Sequence, residues 1–289
     1  MRRLADYNPG AITAYFLTVA GIAMFSMDPV ILLLSVFGGI TCFLLMDRFR
    51  GCKTHLYMLG LFFVMTIINP LVSHNGKTVL FVMNRQPVTL EALIYGMFAA
   101  VMVVSVFYWF RAFTLIMTSD KLLYVFGSLS PGLALILSMT LRYIPLFSDQ
   151  ARKVKNAQRA LGMYKEDNVV DSIRGGMRIF SVMVTWTLEN GIITADSMAA
   201  RGYGTGKRTL FSLFQWKKKD ILLLIMTILL ALITLLMPKT GYSYYPQFSF
   251  SLGTIYAWIS YAAYGMLAAT PLIIETREFI KWRFLLSKM

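Results

Sequence analysis

The chain has 289 residues, 57% of them hydrophobic and only 15% charged, with a formal net charge of +14 and a mean hydropathy of +0.62. A soluble domain carries roughly 45–50% apolar and about 25% charged residues. The balance therefore excludes an ordinary soluble domain and makes the bilayer the solvent to reason with.

Near-charge-free runs lie at 11–27, 30–46, 56–72, 90–110, 221–237 and 253–274. Each is close to the roughly 20 helical residues that cross a hydrocarbon core. Only Glu91 falls inside these limits, near an end. The first run follows Met-Arg-Arg, lacks an Ala-x-Ala-like cleavage site and is succeeded at once by a second run, so it reads as a span and not as a cleaved signal peptide. With a cytoplasmic N-terminus, six spans return the C-terminus to the cytoplasm. Twenty-five of the 28 Lys and Arg residues then lie inside, and only Lys77, Arg85 and Lys239 fall outside. The positive-inside rule selects this topology over its inverse. The charge sets orientation first, and no nucleic-acid partner is implied.

Cys42 and Cys52 can form neither a disulfide framework nor a zinc knuckle. His55 and His74 have no third ligand candidate nearby, so both read as polar surface and no metal site is expected.

The chain divides into three: 1–110 with four spans, 111–219 as a long insertion too charged to span, and 220–289 with two spans and a basic tail. In the insertion, a helix is expected from Thr114 to about Gly127. Ser128-Leu129-Ser130-Pro131 reads as a break, with Ser130 as N-cap and Pro131 at the first helical position. The next helix is apolar at first and basic after Pro145, where the imino ring predicts a kink. A polar connection, "YKEDNVVD", leads to a third helix from about Ser172 to Arg201. Its apolar positions, Ile173, Met177, Phe180, Val184, Leu188, Ile192, Ala195 and Met198, share one face. That stripe needs a partner.

The stretch "ADSMAARGYGTGKRT" (195–209) has the glycines and lysine of a phosphate cradle, but only three residues separate Gly202 from Gly206, and Arg208 follows Lys207. A P-loop needs four residues there, a Ser or Thr after the lysine, and a preceding strand. The stretch instead reads as a helix end, with Arg201 in the last turn and Gly202 just past it.

"ADSMAARGYG" resembles the Ala-Arg-Gly signature of the transmembrane T component of energy-coupling factor (ECF) transporters, the CbiQ-type family. "INPLVSHNGKTVLF" (67–81), "VTLEALIYG" (88–96) and "LRYIPLFSDQARKVKNAQRALG" (141–162) resemble further family segments in the same order. The likeness covers roughly residues 60 to 210. One position departs: the first box reads Ala157-Gln158-Arg159-Ala160-Leu161-Gly162, with Leu161 where the family commonly has arginine. Arg159 lies two residues earlier, about 200° around the helix.

The resemblance implies an all-α, polytopic membrane protein of about six transmembrane helices plus long cytoplasmic amphipathic coupling helices. It implies a scaffold in a prokaryotic cell membrane with both termini cytoplasmic. Its partners would be two cytoplasmic ABC ATPase subunits and a small membrane S component that binds a vitamin or metal ion. It carries ATPase coupling to Ala157, Gln158, Arg159 and Gly162 in the first box and to Ala200, Arg201 and Gly202 in the second, with Pro145 as a joint. It implies no cofactor, and the sequence offers no catalytic set: neither a Ser/His/Asp nor a Cys/His constellation can be assembled. The alternative is a self-contained secondary transporter or channel. That reading calls for ionisable residues at span midpoints or paired Gly/Pro-broken spans, and the sequence displays neither.

Overall fold

The computed structural model describes residues 4–47, 52–73, 76–83, 86–163, 169–206, 214–237, 242–245, 249–250 and 255–286. His74, Lys165, Lys207, Arg208, Lys239 and the basic residues Arg2, Arg3, Arg48, Arg50, Arg85 and Lys288 lie outside them. Each apolar run is a helix: α1 Pro9–Phe25, α2 Pro29–Asp47, α3 Cys52–Val72, α4 Leu90–Ile116, α8 Lys218–Leu236 and α9 Ile255–Leu286. Five are long and apolar enough to cross a membrane, and α1, at 17 residues, is the short sixth. The charged insertion forms α5 Ser119–Leu129, α6 Pro131–Ala160 and α7 Val169–Ala200. The chain is an all-α polytopic membrane protein, with two small antiparallel hairpins added: β1 Val79–Met83 with β2 Gln86–Thr89, and β3 Tyr242–Ser243 with β4 Ser249–Phe250. It divides into two compact units, one of residues 1–122 with 214–289, the other of residues 123–213.

In the first unit α4 packs against α1, α2 and α3, while α9 packs against α2 and α8. Trp109 of α4 is fully buried, and its indole N–H donates to the carbonyl and the hydroxyl of Ser35 on α2, each at 3.1 Å. The Ser35 hydroxyl continues to that of Ser105 at 3.2 Å. No water is at hand in hydrocarbon, so such polar groups must find one another. Pro271 inside α9 poses the same problem: it has no N–H for the carbonyl four residues back, that of Leu267. The Tyr15 hydroxyl of α1 donates to that carbonyl at 2.8 Å, and Thr270 Oγ1 donates to it at 2.9 Å. The vacancy left by the proline becomes a tie between α1 and α9.

Three expectations need correction. The helix expected from Thr114 begins at Ser119 and ends at Leu129. Its first residues belong to α4, because Ala112 and Ile116 bury in the α1 side of the core. The Thr118 carbonyl then accepts the Leu122 N–H at 3.0 Å and starts the new helix, while Lys121 Nζ donates to the Ile116 carbonyl at 3.1 Å and closes the old one. Ser130 does precede α6, but it caps through its backbone carbonyl alone, which accepts from Ala134 at 3.2 Å. His55 is not polar surface. It is half-buried, pairs its Nδ1 with the Tyr108 hydroxyl at 2.8 Å and packs on Phe43.

Two of the family-like segments meet each other here. Thr89 caps α4 by accepting the Ala92 N–H at 3.3 Å, and buried Glu91 accepts the Thr78 N–H on both carboxylate oxygens at 3.3 Å. A Cβ on Gly76 would stand 2.6 Å from Glu91 Oε2, so that loop needs glycine to pass. Farther along, a Cβ on Gly96 would stand 2.7 Å from the Asn69 Cβ and 3.2 Å from the Thr66 carbonyl oxygen. Gly96 thus sets the spacing of α3 and α4. Gly96→Val is expected to force the two helices apart and cost about 1–3 kcal/mol. Thermal unfolding of the purified protein in detergent checks this, with a lowered Tm expected and an unchanged Tm contrary to it.

Candidate functional site

Most of the second unit is two long helices. At 30 and 32 residues, α6 and α7 extend about 45 and 48 Å. They run antiparallel across a small aromatic contact. The Tyr143 hydroxyl and Thr194 Oγ1 share a hydrogen bond at 3.0 Å, Phe147 stacks with Tyr143 at 5.5 Å between ring centroids, and Phe147 meets Trp186 edge-on at 5.7 Å. On α7 the less exposed positions are Gly175, Ile179, Met183, Trp186, Asn190, Thr194 and Met198, spaced by three and four. On α6 a row of less exposed positions runs through Tyr143, Phe147, Gln150, Val154 and Gln158. Pro145 lies beside the crossing, exposed, within an uninterrupted helix.

The stripe read from the sequence is on the other side of α7. Ile173, Met177, Phe180, Leu188 and Ile192 are each 62–64% exposed, and Val184 is 41% exposed. Met198 is the less exposed member. The 3.6-residue period located an apolar face correctly but could not say that α6 packs elsewhere.

Both helix ends carry the same cap. In the first box the Gly162 N–H donates to the Arg159 carbonyl at 3.0 Å and the Met163 N–H to that of Gln158 at 2.9 Å. In the second, the Gly202 N–H donates to the Ala199 carbonyl at 2.9 Å and the Tyr203 N–H to that of Met198 at 3.0 Å. This is the Schellman pairing, which satisfies helix-end carbonyls and needs a left-handed residue just past the cap. The glycines supply it, with φ of +69° at Gly162 and +77° at Gly202. Superposing the two caps in register sets Leu161 against Arg201, each as the last half-helical residue.

Ala157, Arg159 and Gly162 are exposed, as are Ala200, Arg201 and Gly202. Gln158 is withdrawn, 7% exposed, and its Oε1 has no hydrogen-bond partner among the described residues. Leu161 is 72% exposed, a large apolar side chain at a tip. The Arg201 side chain makes no hydrogen bond to a described residue. A cation there is favoured by the helix dipole and keeps its planar donor fork for an external acceptor. One residue at the first tip escaped the sequence reading: Arg178 of α7 reaches across, and its Nη1 donates to the Met163 carbonyl at 3.3 Å. Only the antiparallel crossing brings it there. Among the described residues no three His, Cys, Asp or Glu side chains come together.

Comparison with known proteins identifies the family. Residues 4–213 match the CbiQ family, described as cobalt transport protein. An ECF transporter transmembrane protein EcfT of Lactococcus lactis subsp. cremoris is 28% identical over 201 residues, covering 64% of this chain and 73% of the relative. That of Listeria monocytogenes, EcfT 1, is 24% identical over 204 residues, covering 65% of this chain and 77% of the relative. An EcfT of Streptococcus equi subsp. equi is 30% identical over 102 residues, and there the chain spans 38% of the relative.

The caps predict a local effect of substitution. Gly202→Ala places a Cβ in a left-handed conformation, which costs about 1–2 kcal/mol. Amide exchange across 198–203 is expected to quicken by about 5- to 30-fold while the Tm of the bundle holds. Unchanged exchange there would contradict the cap's role.

Proposed function

This chain belongs to the CbiQ family of cobalt transport proteins, and from that premise we propose that it is the transmembrane coupling subunit of an ECF-type importer in a prokaryotic cell membrane. In this reading two cytoplasmic ABC ATPases dock on the tips of α6 and α7, and a small membrane S component carrying a vitamin or metal ion rests on the exposed apolar face of α7. Hydrolysis belongs to the ATPases. The observation that carries the proposal is the pair of matched caps: two long helices, ending in the same hydrogen-bond pattern, present their final residues to solvent.

The physics follows from the geometry. A Schellman cap turns the chain away sharply, so the residue before the glycine stands free at the end of a rigid rod. At the second tip that residue is Arg201, whose fork suits a bidentate carboxylate. Docking there desolvates a permanent charge and pairs it, and losing one member of such a pair costs about 2–5 kcal/mol. Closure of the ATPases on ATP then displaces the tips. The described contacts between these long helices include one aromatic pair and one side-chain hydrogen bond at the crossing, a small joint that lets them change their mutual angle at low cost. Pro145, inside α6 beside the crossing, removes one backbone N–H there and would serve as its joint. The stripe from Ile173 to Ile192 moves with α7 and carries the displacement to the S component. The charge bias supports a cytoplasmic side for the tips and both termini.

Arg201→Glu reverses the charge at the second tip and is expected to abolish ATPase association. Co-purification of the ATPases with the variant at wild-type yield would overturn the docking role. The chain purified alone is expected to hydrolyse no ATP, and sustained turnover by the isolated chain would overturn the assignment of hydrolysis to its partners.

A further inference from the structure

The first tip has the cap of the second without its arginine. Leu161 stands in the position that Arg201 holds on α7 and is apolar and exposed. Arg159 sits on the regular helix two residues earlier, about 200° away from Leu161. Arg178 differs from both in reach. It starts on the neighbouring helix, crosses to the loop just past the cap and bonds the Met163 carbonyl at 3.3 Å. It is exposed there. An arginine carries five N–H donors in a fixed fork, and this bond uses one. The others stay with the charge, beside a helix C-terminus that favours a cation.

We propose that Arg178 is the docking cation of the first tip, supplied from α7 in place of the residue that α6 lacks at position 161, and that it meets a carboxylate of one ATPase. The proposal rests on the coupling-subunit reading. It adds that one helix, α7, furnishes the cations of both tips: Arg201 at its own end and Arg178 beside the end of α6. The bond to Met163 holds the guanidinium at the tip and fixes the loop against α7. Because both cations ride on α7, a rotation of α7 against α6 shifts the Arg178 contact and the Arg201 contact together.

The test uses the full chain in membranes with the ATPases that co-purify with it. A photo-crosslinking amino acid replaces Ala160 at the first tip or Tyr203 at the second, both exposed. Arg178→Gln removes the charge and, being two atoms shorter, also releases the Met163 carbonyl. The expected result is a loss of the ATPase adduct at position 160 by about tenfold or more, with the adduct at 203 retained. Adding Leu161→Arg to Arg178→Gln is expected to restore the adduct at 160, which a lost structural staple would not permit. An undiminished adduct at 160 in Arg178→Gln overturns the proposal, as does failure of Leu161→Arg to rescue it. Absence of any ATPase adduct at either position in the otherwise unaltered chain overturns the coupling reading itself, so the two failures are told apart.

Discussion

Guanidinium and ammonium groups do not enter hydrocarbon without a cost of several kcal/mol, and that exclusion partitions this chain. Where Lys and Arg are absent for about twenty residues, the backbone forms a helix whose N–H and C=O groups satisfy one another. Where sixteen of them gather between Arg111 and Lys219, the chain cannot cross. The apolar unit then solves a bilayer problem with side-chain hydrogen bonds, Trp109 to Ser35 and Tyr15 to the carbonyl that Pro271 leaves open. The charged unit solves a different one, holding two long helices with little mutual burial. Its caps are closed by glycine and its apolar stripe stays uncovered.

The family-like segments divide along the same line. Thr89, Glu91 and Gly96, with Asn69 and Gly76 opposite them, hold the α3–α4 pair and the loop that joins it. They are architectural. Gly162 and Gly202 are architectural too: they close the two caps, beside the exposed Leu161 and Arg201. A resemblance in four segments therefore mixes two kinds of constraint, close approach inside the apolar unit and cap closure at the helix ends of the charged one.

Much of this was legible in the sequence because it is local. Hydropathy located the apolar helices, Ser130-Pro131 located the start of α6, and Arg201-Gly202 located the end of α7. The hairpin of Val79–Met83 with Gln86–Thr89 was not legible: its apolar run adjoins a span, and Pro87 lies within its second strand. The α4 boundary was misread because Arg111 looks like a membrane edge, while Ala112 and Ile116 still pay for helix by burial against α1. The direction of the α7 stripe and the approach of Arg178 to Met163 depend on how α6 and α7 cross. That crossing is set by Tyr143, Phe147, Trp186 and Thr194, residues far apart in the chain, with no local signal to announce the pairing.

The account stands on the two tips lying in the cytosol. Single cysteines at positions 160 and 203, in a chain freed of Cys42 and Cys52, would be offered a membrane-impermeant maleimide in intact cells and in inverted membrane vesicles. A cysteine at Val82 in the first hairpin, 65% exposed, serves as the opposite-side control. The account predicts labelling at 160 and 203 in inverted vesicles alone and at 82 in intact cells alone. Labelling of 160 or 203 in intact, unpermeabilised cells would contradict it.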